Sequence, residues 1–454
     1  MKQGEITAYL SLIFVLLIAF VGGLMESASI QITKNYRRCD VNRAVESVFA
    51  EYQKELLEKY HIFGMDGSYE TGQYSERNLI DRFAFYGTGN IDYKIKRIEF
   101  LTDDACRPFR EAAEIYMEQK YGISQVKEML GMTSVWGEQE KQADHCMEEE
   151  KSQKQNLENL LETKEGELPE QENPIAHTDQ LKKSPILELV LPKEKQLSEK
   201  KIEETNSLPV RDKNVGYGEF SDVAEKTETV STLLFNEYLL EHFSSFIENE
   251  GTKVLDYELE YILGGKANDR NNLETVVKQL MMIRFVPNFA YIQTDGEKRS
   301  EAEAMALALC SLMLLPELTQ AVTQGILLAW AYGETIMDLR SLLSGNKVPV
   351  VKSRENWQLS LSALLTLGTQ ADNHEGRASK EGLAYQDYLR MLLFLKTQKI
   401  TALRALGVIE QNLRIIFGQE FFHADFCMTK LEIESCCNLR RGIRYQFKTY
   451  YGYQ

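Results

Sequence analysis

Motifs that announce a catalytic chemistry are missing from this chain. It holds no H-E-x-x-H, no G-x-S-x-G, no Walker loop and no paired C-x-x-C, which removes zincin, serine-hydrolase, P-loop and paired-cysteine chemistry as locally encoded sites. A basic surplus is missing too. Against 68 Asp and Glu there are 52 Lys and Arg, a formal net charge of −16, so the concentrated cationic face that neutralises phosphates is not available and nucleic acid is excluded as a partner. Cysteine is sparse: seven residues at 39, 106, 146, 310, 427, 436 and 437 with no repeating spacing. A disulfide scaffold is far denser than that, and Cys310, inside an apolar run, reads as core. Long hydrophobic runs are also missing, with one exception.

That exception is Ile6–Met25, ITAYLSLIFVLLIAFVGGLM, without an Asp, Glu, Lys or Arg and bracketed by Glu5 and Glu26. As a helix rising about 1.5 Å per residue it covers roughly 30 Å, the hydrocarbon thickness of a bilayer. The expectation is one membrane anchor whose partner is the lipid bilayer. A cleaved signal peptide, with Ser27-Ala28-Ser29 as cleavage site, has a shorter apolar core and a more basic start than Lys2 provides. A buried core helix requires a soluble domain wrapped around the first residues of the chain. Orientation has two arguments. Lys34, Arg37, Arg38 and Arg43 after the span favour a cytoplasmic bulk. A tiny tail before a large following domain favours a cytoplasmic N-terminus and an extracytoplasmic bulk, and that is the layout expected here.

From Glu26 to Tyr60 there is neither Pro nor Gly, so nothing in the sequence stops a helix. Val41, Val45, Val48, Tyr52, Leu56 and Tyr60 recur every three or four residues as one apolar stripe. Span and stripe predict a single rod, stopped by the turn His61–Gly67.

Several stretches carry a resemblance. Gly4-Glu5-Ile6-Thr7 leads into the span, Glu26-Ser27-Ala28 leaves it, and EYQKELLEKYHIFGMD follows at 51–66. With residues 184–211, LEYILGGKANDRNNLE (259–274), EAEAMALAL (301–309) and ILLAWAYGETIMDLRSLLSGNKVPV (326–350), the chain resembles a domain-of-unknown-function family of single-pass membrane proteins from Gram-positive anaerobes. That group is similar to TadE-like minor pilins and accessory proteins of tight-adherence (Flp-type) pilus systems. The resemblance implies an apolar helix serving as anchor and assembly stem, with membrane or pilus-assembly proteins as partners. Gly4 matches the leader glycine of such pilins. The acidic residue expected five positions on is not there: Glu5 follows Gly4 directly and Tyr9 holds that place.

Farther along, Ile91, Tyr93 and Ile95 alternate with Asp92, Lys94 and Lys96 as a strand, with a slip before Ile98 and Phe100. Residues 112–130 return to helical spacing. Between Glu138 and Glu172 twelve acids face four Lys and no aromatic residue, a composition that predicts a flexible or loosely helical linker. Helical spacing returns over 231–248. Leu255, Tyr257, Leu259 and Tyr261 alternate with Asp256, Glu258 and Glu260, the clearest strand pattern in the chain. Asn271 with Glu274 reads as a capping box opening a helix through Ile283. Two buried helices joined at Pro316-Glu317 form a core over 302–343. Residues 353–382 read as a loop, 383–413 as two helices, and Leu431–Lys448 as a hairpin turning at Arg441-Gly442.

Candidate chemistry outside motifs is thin. His423, Asp425 and Cys427 with Cys436 and Cys437 are zinc-competent types, but the spacing matches no finger, and adjacent strand residues point apart. Gly87-Thr88-Gly89 reads as a turn, His61 between Tyr60 and Phe63 as packing, Asp103-Asp104 as a turn, and Glu301 with Glu303 as a dipole-complementing helix start. No catalytic, cofactor-binding or metal residue is assigned.

The fold expected is α+β: a tail (1–5), a transmembrane helix (6–25), a stem helix with a first small α+β unit (26–134), an acidic flexible linker (135–180), and a larger α+β unit with a helical core and C-terminal hairpin (181–454). The function expected is a non-enzymatic, membrane-anchored structural or assembly protein. Two competitors stand beside it: an exported tethered enzyme whose site is assembled from distant residues, and a cytosol-facing membrane scaffold.

Overall fold

Helix α1 (Lys2–Phe49) runs for 48 residues through the apolar stretch and on into the stem. In this computed structural model all residues are described except Met1, Thr88, 165–167, 170, 194, 204–206, 221–227 and Gln454, and except the side chains of residues 2, 3, 5 and 122–134. Part of the acidic tract, Thr88 of the Gly-Thr-Gly turn and the Glu5 side chain therefore lie outside the described residues. The fold is α+β and 61% helical. It forms two units, one of Met1–Ala112, Asp212–Ala224 and Leu413–Gln454, the other of Ala113–Arg211 and Glu225–Asn412.

In the first unit, α1 lies against an antiparallel sheet built from β1 (Met65–Asp66), β2 (Ile91–Phe100), β3 (Cys427–Asn438) and β4 (Arg444–Gly452). Strand β3 is central: Met428 pairs with Phe100 on one side and Met65 on the other, and β4 continues the β1 side from Lys430 to Asn438. The irregularity visible in the β2 sequence is real. The register shifts between Ile95 and Arg97 and again between Glu99 and Phe100, so the side chains change face without ending the strand. The extra residue Lys96 turns to Glu434 at 2.8 Å. Val41, Val45, Val48 and Phe49 of α1 bury against Ile95, Ile433 and their neighbours, as the stripe predicts.

The rod expected to reach Tyr60 breaks earlier. Helix α1 ends at Phe49 and α2 (Lys54–Tyr60) restarts after Gln53. The cause is tertiary. The Tyr453 hydroxyl donates to the Phe49 carbonyl at 2.5 Å, while the Gln53 N–H, the regular helical donor for that carbonyl, donates to Gly64 at 2.8 Å. Two long-range bonds thus replace one helical bond. Leu56 and Tyr60 remain buried but Tyr52 is turned outward. His61 closes α2 in the left-handed region (φ 55°) with its N–H on Leu57, as a stop signal there requires. Helix α3 (Glu76–Tyr86), capped by Ser75, packs Leu79 and Phe83 into the same core.

The second unit is helical. Through Thr163 the tract expected as a flexible or loosely helical linker is helical, as part of α4 (Asp103–Thr163). Its few apolar residues are enough, because they are placed where neighbours reach them: Trp136, Ala143 and Leu157 are buried. Charged residues fix the rest, with Lys154 on Asp179 at 2.7 Å and Glu150 on Lys182. Both partners sit on α5 (Pro174–Lys183), which is followed by α6 (Ile186–Val190) and α7 (Glu228–His242).

The strand expected over Leu255–Tyr261 is not formed; Glu258–Gly264 is helix α8. Alternation predicts a strand only when one parity faces water, and here both are buried, Glu258 and Glu260 as fully as Leu259 and Ile262. Glu258 accepts from the Ser244 N–H at 2.9 Å and from Lys253 at 2.6 Å; Glu260 accepts from the Phe246 N–H at 2.9 Å and the Tyr385 hydroxyl at 2.7 Å. The acids are acceptors for a loop, not a solvent face.

Helix α9 (Asp269–Thr294) opens three residues before the expected cap. Asn268, not Asn271, is the N-cap, its side chain accepting the Asn271 N–H, and the helix passes through Pro287 to end well beyond Ile283. Helices α10 (Gly296–Leu312) and α11 (Thr319–Leu343) flank Pro316 as expected. The close packing of α11 depends on Gly325, where a Cβ would come within 2.7 Å of Ile175 and 3.2 Å of Leu157. The 353–382 loop holds only the short α12 (Leu361–Leu364), and α13 (Tyr385–Leu395) and α14 (Gln398–Ile415) supply the expected pair. The C-terminal hairpin forms, but β3 pairs with β2 of the first unit.

Leu431, 1% exposed at the centre of the sheet core, sets the first test. Leu431→Ala is expected to lower unfolding free energy by about 2–5 kcal/mol, and Phe85→Ala, 72% exposed on α3, by less than about 0.5 kcal/mol, in urea titrations of the detergent-solubilised chain followed by circular dichroism.

Candidate functional site

The densest chemistry among the described residues lies inside the second unit, at a buried group of four charges. Glu334 and Asp338 stand one turn apart on the largely buried helix α11, so both carboxylates leave the same face. Arg284 and Asn288 face them from α9, again at i and i+4, Tyr388 comes from α13, and Lys352 with Gln358 comes from the segment after α11. The Asp338 carboxylate accepts from Arg284 at 2.8 Å, Asn288 at 3.0 Å and Lys352 at 2.7 Å. Lys352 also reaches Glu334 at 2.6 Å, and the Gln358 and Leu359 N–H groups complete Glu334 at 2.9 and 2.8 Å. Arg284 spends a further donor on the Tyr388 hydroxyl at 3.1 Å. Two cations therefore meet two anions, with side chains at most 2% exposed.

Burial opposes ionisation throughout the group. For Asp338 it is overcome by Arg284 and Lys352, which hold the carboxyl below its ordinary value. For Glu334 burial and the charge of Asp338 win over Lys352 and push the carboxyl up to about 7. Beside the group, Lys298 lies 4.6 Å from the Trp330 ring and 4.9 Å from Trp357, and burial lowers its pKa. Both indoles donate to the Leu359 carbonyl, at 2.9 and 2.7 Å. The four charged side chains are shielded from solvent, whereas Lys298 beside them is only half-buried. Chemically the arrangement is a neutral, hydrogen-bonded tie between three helices and a loop.

Open concavities lie elsewhere. A cleft of about 570 Å³ between α10 and α11 is lined by Arg299, Glu303, Thr319 and Gln324 among others, with Arg299 and Glu303 paired at 3.4 Å. In the first unit a cleft of about 460 Å³ lies beside Asp103, Arg107 and Gly216. Asp103 there accepts the Phe100 and Gly216 N–H groups at 2.7 and 3.0 Å, which uses its carboxylate to hold a strap on the strand edge.

The residues singled out from sequence take structural places. Cys310 is fully buried. Glu303 pairs with Arg299 inside α10, whose N-cap is Asp295 rather than a residue near Glu301. Cys427 and Cys437 are buried while Cys436 is turned partly outward, the opposite faces expected of neighbours on a strand. The three cysteines do not gather with His423 and Asp425, and Asp425 accepts the Asn214 N–H at 3.0 Å. Sequence reading passed over Arg284, Glu334, Asp338 and Lys352. Their signal was available: two acids four residues apart inside ILLAWAYGETIMDLRSLL are out of place unless they are met by buried cations.

The second defined surface is the apolar end of α1. Within its most hydrophobic window, of mean hydropathy 2.5, none of the segment is buried by the rest of the chain. It is the one helix among the described residues that is long and apolar enough to cross a membrane.

Comparison with known proteins places most of the helical unit in one family. The Family of unknown function (DUF5702) matches residues 164–439, more than half of the chain, and the chain belongs to that family. No curated protein and no solved structure matches it.

Two stability measurements probe the buried acids. Lys352→Met leaves Glu334 and Asp338 one cation short and is expected to cost about 3–5 kcal/mol in urea unfolding at neutral pH. Glu260, whose carboxyl burial pushes up to about 7, binds a proton in the folded state at pH values where the unfolded chain has released it. Its contribution is whole below the ordinary glutamate range and is lost as pH rises through 7, with a slope of up to about 1.4 kcal/mol per pH unit. Glu260→Gln, which keeps a carbonyl for Phe246 and Tyr385, is expected to flatten that part of the stability–pH curve.

Proposed function

We propose that this DUF5702 protein is a non-enzymatic, single-pass membrane protein of a surface assembly. Ile6–Met25 sits in the bilayer with the N-terminus in the cytoplasm and the bulk of the chain outside, and the protein is a pilin-like or accessory component of a tight-adherence-type pilus or secretion system. The observation that carries the reading is the bare end of α1. Side chains such as Phe14 and Leu16 are 63% and 60% exposed, and each apolar group of that size left in water forgoes about 1.5–3 kcal/mol. A twenty-residue run rich in such positions needs a nonpolar surrounding that its own chain does not provide.

The continuation of the helix supports the finer part of the proposal. An anchor that proceeds without interruption into a stem, and a stem that packs along an antiparallel sheet, is the layout of a pilin-like subunit. The cations behind the span have a packing use as well as an electrostatic one. Lys34 and Arg38 lie 5.2 and 5.8 Å from the Tyr445 ring, and Arg43 pairs with Asp40 at 3.5 Å. Their presence is thus compatible with export of the bulk. The buried charge group, closed to water, supports a structural rather than a catalytic role for the helical unit.

Fractionation tests the anchor. The full chain is expected in the carbonate-resistant membrane pellet, and Phe14→Arg with Leu17→Arg, each costing about 2.5–3.5 kcal/mol in the bilayer, is expected to release it. Orientation is read at Cys39, which is exposed, whereas Cys106 is buried and silent. In a variant whose half-exposed Cys146 and Cys436 are replaced by Ser, an impermeant maleimide is expected to label intact cells and to lose that label in Cys39→Ser; labelling only after lysis would place the bulk in the cytosol. Co-purification with tight-adherence components tests the assembly role.

A further inference from the structure

The β3–β4 hairpin runs alongside α1 with its turn directed at the anchor. Contacts along the helix fix that direction. Phe49 meets Tyr451 with ring centres 4.4 Å apart, Lys34 and Arg38 lie 5.2 and 5.8 Å from the Tyr445 ring, and at the turn Arg441 pairs with Glu26. Strand β2 stops short of that end. Its first residue, Ile91, lies opposite Cys437, so the hairpin from Asn438 to Arg444 continues down the helix beyond the rest of the sheet. Glu26 is the first residue after the apolar run. In the anchored chain, the turn Arg440–Gly442 is therefore held where the helix leaves the hydrocarbon, at the depth of the lipid headgroups.

Charge sets this end apart from the rest of the chain. Between them, Glu26–Cys39 and Cys436–Arg444 hold six cations, Lys34, Arg37, Arg38, Arg440, Arg441 and Arg444, and one acid, Glu26, in a chain of net charge −16. The three arginines of the hairpin are exposed. Turn geometry does not call for them, since Arg441 takes φ 61°, a region that glycine occupies at less cost. We infer that the hairpin turn is a second membrane contact, at which Arg440, Arg441 and Arg444 bind the phosphates of anionic lipids. The inference rests on the anchoring reading but not on its orientation, because it needs only the leaflet next to Glu26. Guanidinium suits the task, presenting a fork of donors to phosphate oxygens. Lys34, Arg37 and Arg38 follow about 12–18 Å farther along the helix, where a screening length of about 8–10 Å leaves them within the outer reach of the surface potential. A bilayer is already present at this depth, so a free acidic partner would have to displace it. Because the hairpin lies on one side of α1, the contact tilts the stem toward that side and fixes its rotation.

The full chain in lipid nanodiscs tests the contact, with phenylglyoxal, an uncharged arginine reagent, as the probe and peptide mass spectrometry as the readout. Arg440 and Arg441 are expected to react about tenfold more slowly in discs containing phosphatidylglycerol than in discs of phosphatidylcholine alone. They are expected to regain their rate in about 1 M salt, where the screening length falls to about 3 Å. Arg77, 87% exposed on α3, is the internal reference and is expected to keep one rate throughout. Arg440→Gln with Arg441→Gln and Arg444→Gln is expected to remain in the membrane and to retain about tenfold less phosphatidylglycerol when purified from mixed-lipid membranes. Equal reactivity in the two lipids, slowing by soluble glycerol phosphate in phosphatidylcholine discs, or unchanged lipid retention in the triple variant overturns the lipid contact and leaves the anchor standing. Failure of the unmodified chain to enter the discs overturns the anchor, and the hairpin contact with it.

Discussion

Asp338 receives Arg284, Lys352 and Asn288 at one carboxylate, and the helical unit is arranged so that this is achieved. A carboxylate removed from water has to recover its hydration from fixed donors, and the donors come from two different stretches of chain, α9 and the segment after α11. Helices α9 and α11 must lie side by side for Arg284 to reach it, and the segment after α11 must fold back for Lys352 to do so. The aromatic layer follows from the same placement. Trp330 and Trp357 share one carbonyl acceptor and flank Lys298, which closes the side of the group next to α10. Replaced by well-packed apolar residues, such a group need not cost stability; what it imposes is one arrangement of the helices, since any slip by a turn strands a charge.

The sequence was legible where a pattern had a single physical cause. The apolar run of α1, the stripe that packs on the sheet, the slips in β2 and the terminal hairpin each reflect local geometry, and all are present. It misled where polar residues were assumed to face water. Glu258 and Glu260 made a helix look like a strand because acids were read as solvent-facing, and the acidic tract looked flexible or loosely helical because its buried apolar positions, Ala143 and Leu157, are spread thinly among charges. Tertiary bonds were invisible for a further reason. Nothing near Phe49 marks a helix end; the residue that ends it, Tyr453, belongs to the far end of the chain. The buried charge group falls between these cases, since Glu334 and Asp338 were conspicuous in an apolar helix while their cations were not.

The two units use apolar surface in opposite ways. The helical unit closes its polar groups inward and covers them with aromatic side chains. The sheet unit lays one face of a long helix on a sheet and leaves the other face, and the whole end of that helix, for something outside the chain. One body covers its own polar groups, and the other leaves the apolar end of its long helix bare.

The sheet also joins parts of the chain made at very different times. Thr429 bonds to Glu99, 330 positions earlier, and β3 supplies the pairing for every other strand. While a ribosome is still working through the intervening helices, α1 can already be in the bilayer with Val41, Val45 and Val48 uncovered and β2 without a neighbour. The two sides of the sheet are joined only after the helices between them are made, and throughout that interval the unpaired edge of β2 and the apolar stripe of α1 are open to misassociation.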